Sequence, residues 1–367
     1  MSVLVTGANG FIGKNLLVRL EENGVDALRF TREMSSEQLA DSLEHVDFVF
    51  HLAGVNRPKD LTEFARGNVG LTEELCEAVR SSGRKIPVLY ASSIQAGLEN
   101  KYGVSKLAAE KELIELENKT GSPVYIYRLP NVFGKWSRPN YNSVVATFCY
   151  NIANDIAIQI NDASAIVQLV YVDDVVNNFV KIMGERPSGV VRPEINTVYR
   201  ISVGDLAEQI SAFKASKESM IIECVGTGLT RALYSTYMSF LSTEQFSYSL
   251  PVHVDHRGCF AEMLKTKDSG QFSFFTARPG ITRGGHYHHS KNEKFLVIQG
   301  RARFGFRHVI TDETYELFTD SNKPVVVETV PGWSHDITNV GENEMIVMLW
   351  ANEIFDPQNP DTITYKV

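Results

Sequence analysis

The chain has 367 residues, of which 43% are hydrophobic and 22% charged, and 36 Lys and Arg against 44 Asp and Glu leave a formal net charge of −8. That balance supplies no basic field for nucleic acid or an anionic membrane surface, and no apolar run approaches the roughly 20 residues of a membrane helix. The length suits two domains, and the opening MSVLVTGANG reads as a first strand rather than an export signal. Four separated cysteines (Cys76, Cys149, Cys224, Cys259) without a CxxC pair fit free thiols in a reducing, cytoplasmic setting.

The first half alternates strand-like runs with amphipathic stretches. SVLVTG (2–7), DALRFT (26–31), VDFVFHLAG (46–54), IPVLYAS (86–92) and VYIYRLPNVFG (124–134) are the predicted strands. Between them Phe11, Leu16, Leu17 and Leu20, and later Leu107, Leu113 and Leu116, recur at helical spacing. Continuous apolar strands alternating with helices predict a doubly wound α/β domain with a parallel sheet. A helical segment over 204–242 is expected to cap this domain, which places the boundary between 1–243 and 244–367. Beyond it, QFSFFTA, KFLVIQGRARFGFRHV, PVVVETV and EMIVMLW are short β-rich runs cut by turn residues, as in an all-β barrel or jelly roll.

Gly7, Gly10 and Gly13 follow the first strand and open the first helix, with Phe11 and Ile12 between the last two. Such a turn lets the backbone approach a pyrophosphate, whose charge then faces a helix N-terminus. The second strand ends Phe30-Thr31-Arg32 where a ribose-binding acid would otherwise stand. An Arg there offers a counter-charge to a 2′-phosphate and favours NADP(H), although Glu33 follows directly. Tyr102 and Lys106, four apart on one helix, can share a face, so that the ammonium lowers the phenol pKa and the phenol serves as a proton donor to a carbonyl oxygen. Either Ser92 or Ser93, ending the fourth strand, could hold that oxygen.

TGANGFIG, HLAG (51–54), YASS (90–93), YGVSK (102–106) and RLPNVFG (128–134) resemble the extended short-chain dehydrogenase/reductase family over residues 1–240. The resemblance implies Ser93, Tyr102 and Lys106 as a catalytic triad, the three glycines on the pyrophosphate, and Leu52, Ala53 and Gly54 along the cofactor. It also implies a nucleotide-sugar substrate, with Asn131 toward it. Downstream, Arg138, Asn140 and Tyr141 are either diphosphate and uracil contacts or a polar surface loop. Ile94-Gln95 stands where the 4,6-dehydratases of this family carry an acidic pair, which argues against dehydration.

In the second half, Gly280, His286, His288, Glu293 and Gly300 reproduce the spacing of a first cupin motif, and His335 stands further on. His286 and His288 share a strand face by the two-residue period, and with Glu293 and His335 they form a ligand set for zinc or another divalent metal. The second cupin motif departs from the pattern, with Val330 in a proline slot and Pro331 shifted by one. Residues 255–262 and Arg283-Gly284-Gly285-His286 resemble nucleotide-sugar 3,5-epimerases. That resemblance directs Arg257 and Arg283 toward the substrate and Lys294 toward a keto oxygen. It would make His286 the base that removes a carbon-bound proton, but an imidazole bound to metal through its lone pair cannot also act as base. Ligation is the reading favoured here, which leaves His308, His256 and Tyr287 as candidate bases.

Strings spread over the whole chain, among them HLAGVNRP, PNYNSVVATFCY, HHSKNEKFLVIQG and WANEIFDP, resemble the CapF-type family of bifunctional capsular-polysaccharide enzymes. The resemblance implies a homodimer that epimerises UDP-2-acetamido-2,6-dideoxy-β-L-arabino-4-hexulose at carbon 3 in a zinc cupin. NADPH-dependent reduction at carbon 4 then gives UDP-2-acetamido-2,6-dideoxy-β-L-talose, on the route to UDP-N-acetyl-L-fucosamine.

Overall fold

The structure, a computed structural model, describes residues 1–57, 60, 62–250, 253–255, 258–260, 264–266, 270–353 and 358–367, with residues 253–255, 258–260, 265, 266 and 271–273 described by backbone alone. By packing, the described chain divides into two compact units, residues 1–143 with 167–200, and residues 144–166 with 201–367.

The first unit holds a six-stranded sheet in the order Asp26–Phe30, Ser2–Thr6, Phe48–His51, Val88–Ser93, Val124–Leu129, Val190–Val191, paired parallel throughout. Successive side chains enter opposite layers, as the strand period demands. Leu4, Val49, Val88 and Ile126 pack with Leu39, Leu75 and Leu113 from helices Ser36–Glu44, Leu71–Ser81 and Lys101–Thr120. On the other face Phe50 stacks on Phe179 of helix Val172–Glu185, at 6.3 Å between centroids. The strand order reverses direction between Ser2–Thr6 and Phe48–His51. Ligands of doubly wound sheets bind in the crevice at such a switch, beyond the strand carboxyl ends. Gly7 and the segment Leu52–Gly54 are the residues that follow those two ends. The strand expected over 124–134 is two, Val124–Leu129 and Asn131–Phe133, because Pro130 has no N–H to continue a ladder.

In the second unit two five-stranded antiparallel sheets carry the expected β-rich runs. One orders Ser247–Ser249, Val325–Glu328, Glu293–Gln299, Met345–Ala351 and Gln271–Ala277; the other orders Thr314–Asp320, Arg301–His308, Trp333–Asn339, Thr282–Tyr287 and Ile363–Thr364. Phe295 of the first sheet meets Phe304 of the second at 5.8 Å between centroids. Helices Val203–Ser219 and Gly228–Met238, expected from sequence to cap the first domain, pack within this unit instead. The reason is polar as well as apolar: Lys217 Nζ lies 3.1 Å from Glu328, and the Ser235 hydroxyl donates to the Ser290 carbonyl at 2.9 Å. Among the described residues no helix is long and apolar enough to cross a membrane.

Candidate functional site

Gly7 turns the chain at φ +67°, and a Cβ there would sit 2.6 Å from the Ala53 amide nitrogen. A Cβ at Gly13 would lie 2.3 Å from the Gly7 carbonyl oxygen, so the helix can start this close to the strand only without one. Helix Phe11–Glu22 begins at Gly10 with no side-chain cap and no acidic residue in its first turn. Its amino-terminal N–H groups are therefore left for an anion. A cavity of about 910 Å³ is lined by Gly7, Gly10, Arg32, Leu52, Ala53 and Gly54. A neighbouring one of about 590 Å³ is lined by Phe11, Ile12, Gly13, Ser93, Tyr102 and Lys106, and also by Asn131 and Arg138. The two share Gly7, Asn9, Gly10, Leu52 and Gly54. The expected glycines, Ser93, Tyr102, Lys106, Arg32, Asn131, Arg138 and Tyr141 thus line these two adjoining cavities, whereas Asn140 lines neither.

Asn100 caps helix Lys101–Thr120 by accepting from the Gly103 N–H at 2.8 Å, which sets Tyr102 in the first turn. Burial raises the Tyr102 phenol pKa, where the spacing to Lys106 predicted a lowering, and the neighbouring Ser93 hydroxyl opposes the rise. Lys106 is buried one turn on, donates to the Ala91 carbonyl at 2.9 Å and lies 4.7 Å from the Tyr90 ring centroid. Burial, against the opposing pull of Glu110, brings its ammonium down to about 8. The choice between the two serines follows from hydrogen bonding. The Ser92 hydroxyl donates to Glu110 at 2.5 Å, and Arg128 Nε and Nη2 hold the same carboxylate at 2.9 and 2.6 Å. Ser92 is spent on that network, whereas Ser93 faces Tyr102.

Sequence reasoning passed over Asn68, which lies in a π-helical turn, Ala65–Gly70. Its side chain accepts from the Val55 N–H at 2.8 Å and donates to the Ser105 hydroxyl at 2.9 Å, tying the cofactor-side segment to the Tyr102 helix. Arg66 was missed too; it lines the same cavity as Arg32. Glu33 accepts from Thr31 at 2.6 Å, a bond that lowers its pKa and keeps it anionic beside Arg32. Asn131 donates to the Gln168 carbonyl at 3.1 Å, and Arg138 stands 5.2 Å from the Tyr141 ring.

In the second unit His286, His288, Glu293 and His335 bring one ligand atom each to within 4.8 Å of one another. His286 and His335 face each other across strands Thr282–Tyr287 and Trp333–Asn339, and Glu293 comes from the opposite sheet. Glu293 Oε2 lies 3.1 Å from His288 Nε2 and 3.3 Å from His335 Nε2. Both ring nitrogens of buried His335 lack a well-formed hydrogen bond. Burial and the two neighbouring imidazoles take His286 down to about 3, so it is neutral at ordinary pH. Three imidazoles, at least one of them neutral, and a carboxylate around one point fit a divalent cation.

A bulge between Gly284 and His286 shifts the register so that Arg283 pairs with Ile337 while His286 pairs with His335. Arg283 therefore falls on the His286 face, although three residues would otherwise separate their faces. The guanidinium is exposed and donates to the Thr276 carbonyl at 3.1 Å.

Lys294 is a correction. It follows Glu293 on the strand and so projects from the other face of the sheet, where it pairs with Glu328 and lies 3.4 Å from the Tyr248 hydroxyl. It has no reach to the cluster. The other base candidates fare no better: the His308 Nδ1 accepts from the Ile310 and Thr311 N–H groups at 3.2 and 3.1 Å. Tyr287 is buried beside His289 and Tyr365. Arg257 and His256 lie outside the described residues.

Comparison with known proteins bears on both units. Residues 3–197 match the NAD dependent epimerase/dehydratase family, and residues 253–363 match the polysaccharide biosynthesis C-terminal domain. The chain is 61% identical to the UDP-2-acetamido-2,6-beta-L-arabino-hexul-4-ose reductase of Pseudomonas aeruginosa, over 100% of this chain and 99% of that one. The crystal structure of the capsular polysaccharide assembling protein CapF from Staphylococcus aureus superposes with a TM-score of 0.69 at 42% identity and full coverage of both chains. A UDP-glucose 4-epimerase of Thermotoga maritima, solved with UDP-glucose, covers 59% of this chain and 83% of its own at a TM-score of 0.53 and 23% identity, which shows a shared fold.

Proposed function

The chain belongs to the NAD dependent epimerase/dehydratase family, and on that premise we propose that it joins two reactions on one UDP-linked 4-keto sugar. It is an NAD(P)-dependent oxidoreductase. The substrate we assign is UDP-2-acetamido-2,6-dideoxy-β-L-arabino-4-hexulose, epimerised at carbon 3 in a cupin-type second domain and then reduced at carbon 4. The product is UDP-2-acetamido-2,6-dideoxy-β-L-talose, on the route to UDP-N-acetyl-L-fucosamine for a cell-surface polysaccharide. The observation that carries this reading is the presence, in one chain, of Ser93, Tyr102 and Lys106 on a cavity beside the glycine turn and of four side chains that could hold a metal ion. The 61% relative is named for a 4-keto sugar nucleotide.

For the reduction, NADPH would supply the hydride when bound. Gly7, Gly10 and Gly13 would admit its pyrophosphate, and Arg32, with Arg66 on the same cavity, would meet a 2′-phosphate. The Tyr102 phenol delivers the proton to the carbonyl oxygen, and the Ser93 hydroxyl holds that oxygen in place. The Lys106 ammonium stabilises the phenolate left behind. Asn131 and Arg138 face the same space from the side where the nucleotide of the sugar would lie.

For the epimerisation, His286, His288, Glu293 and His335 would hold zinc or a similar divalent cation, which acts as a Lewis acid when present. The ketone at carbon 4 acidifies the proton on carbon 3. Once the ketone is an alcohol that acidity is gone, so inversion precedes reduction. A second reading, in which the metal cluster only stabilises a homodimerising module, draws support from Lys294 facing away from it. The two are separated by supplying the UDP-4-keto sugar with NADPH and assigning the product by NMR. A talo product supports the two-step reading, and a product that keeps the arabino configuration at carbon 3 supports the second.

A further inference from the structure

We infer that Asp361, close to the C-terminus, is a positioning residue for the metal cluster; the inference rests on the ligand set proposed above. The Asp361 backbone carbonyl meets His288 Nδ1. A carbonyl only accepts, so Nδ1 carries the proton there and Nε2 is left with its lone pair facing Glu293, 3.1 Å away. The Asp361 carboxylate takes the next three amides in turn, His289 N–H at 2.8 Å, Ser290 N–H at 2.6 Å and Lys291 N–H at 2.7 Å, as well as the Ser290 hydroxyl at 3.1 Å. One side chain thus holds the backbone of His289, Ser290 and Lys291, and Asn352 takes the remaining Asn292 N–H at 2.9 Å.

The rest of the tail extends that hold to the other ligands. Thr362 Oγ1 lies 3.3 Å from Lys291 Nζ, which in turn lies 3.3 Å from Glu293 Oε1. Strand Ile363–Thr364 pairs with His286 and Tyr287, and the Tyr365 N–H donates to the Gly285 carbonyl at 2.9 Å, at the bulge that aims His286. The Ser334 hydroxyl, next to His335, donates to the Tyr365 carbonyl at 2.5 Å. Residues 361–365 therefore touch a neighbour of each of the four ligands or the ligand itself. Outer contacts of this kind orient first ligands, and their loss weakens metal binding about ten- to a hundredfold.

The test is Co²⁺ binding to the full-length chain, followed by visible absorption and by chelator competition, for the wild type, Asp361→Ala, Asp361→Asn and Thr362→Val. The Asn variant keeps the volume but turns an N–H donor toward backbone donors, so it serves if the Ala variant fails to fold. The expected result is a ten- to hundredfold loss of Co²⁺ affinity in both Asp361 variants, a smaller loss in Thr362→Val, and altered Co²⁺ bands. Far-UV circular dichroism and NADPH binding stay as in the wild type. Wild-type affinity and an unchanged spectrum in the Asp361 variants overturn the positioning role, even if their melting temperature falls. A wild-type chain that binds neither Co²⁺ nor Zn²⁺ removes the ligand set itself, and the inference with it.

Discussion

Glu293 and Lys294 are consecutive, yet the Glu293 carboxylate lies between the two sheets beside His288 and His335, while the Lys294 ammonium pairs with Glu328 on the outer face. There it is closed over by Tyr248 and the Lys217-bearing helix, and it is 3% exposed. Strand alternation alone separates the two environments. Lys294→Met should therefore cost stability rather than chemistry. Removing one partner of a buried pair costs about 3 kcal/mol, and Lys217, 3.1 Å from Glu328, keeps the loss from being larger. Urea unfolding should show the drop, and proton exchange at carbon 3 per folded molecule should be unchanged.

The two serines at the end of the fourth strand should behave differently. Ser93→Ala removes the hydroxyl that faces Tyr102 and should lower kcat for ketone reduction about a hundredfold or more. Ser92→Ala leaves Glu110 with Arg128 and should cost about 1 kcal/mol of stability, with kcat changed less than threefold. Steady-state rates with NADPH and thermal melts of both variants check the pair. Equal kinetic losses would refute the assignment.

Reduction should weaken as pH rises. Burial brings the Lys106 pKa down to about 8, so the ammonium proposed to stabilise the developing Tyr102 phenolate is present below that pH and lost above it. Tyr102 itself, raised by burial, keeps its proton through the same range. The log of kcat against pH should be flat on the acid side and fall through about 8. Lys106→Met should be slow throughout and lose the inflection. An unchanged inflection in that variant would locate the titration elsewhere.

Cofactor choice should follow Arg32. Arg32→Ser removes a charge-assisted contact of about 1.5–3 kcal/mol to a 2′-phosphate, so the ratio of kcat/KM for NADPH over NADH should fall about ten- to a hundredfold. Arg66→Ala, on the same cavity, should move the ratio in the same direction by less. A preference that survives both substitutions would show that the 2′-position is read by other groups.

What could be read in the sequence was local or periodic. The glycine turn, the Tyr102–Lys106 spacing and the ligand run from His286 to Glu293 each sit within one element or its neighbour, and the folded chain brings each together. The facing of Lys294 was also available, since an odd step along a strand reverses the face; the family resemblance to a lysine-bearing site outweighed it. Other features had no local signal. The bulge that returns Arg283 to the His286 face is a register event between two strands. The commitment of Ser92 depends on Glu110, 18 residues on, and the clasp of Asp361 on Ser290 spans 71 residues. Such contacts follow from tertiary packing rather than from spacing. The membership of helices Val203–Ser219 and Gly228–Met238 in the second unit likewise rests on Lys217 and Ser235 finding partners in the β-rich region.

The central claim is that the second domain works on carbon 3 before the first works on carbon 4. It is tested most directly by proton NMR of the UDP-4-keto sugar with this protein in D₂O, with NADPH left out. The account predicts that the carbon 3 proton signal disappears as deuterium enters, and that Glu293→Gln or metal removal stops the exchange. A carbon 3 proton that persists while added NADPH still yields an alcohol would contradict it, and would leave a reductase whose second domain does no chemistry.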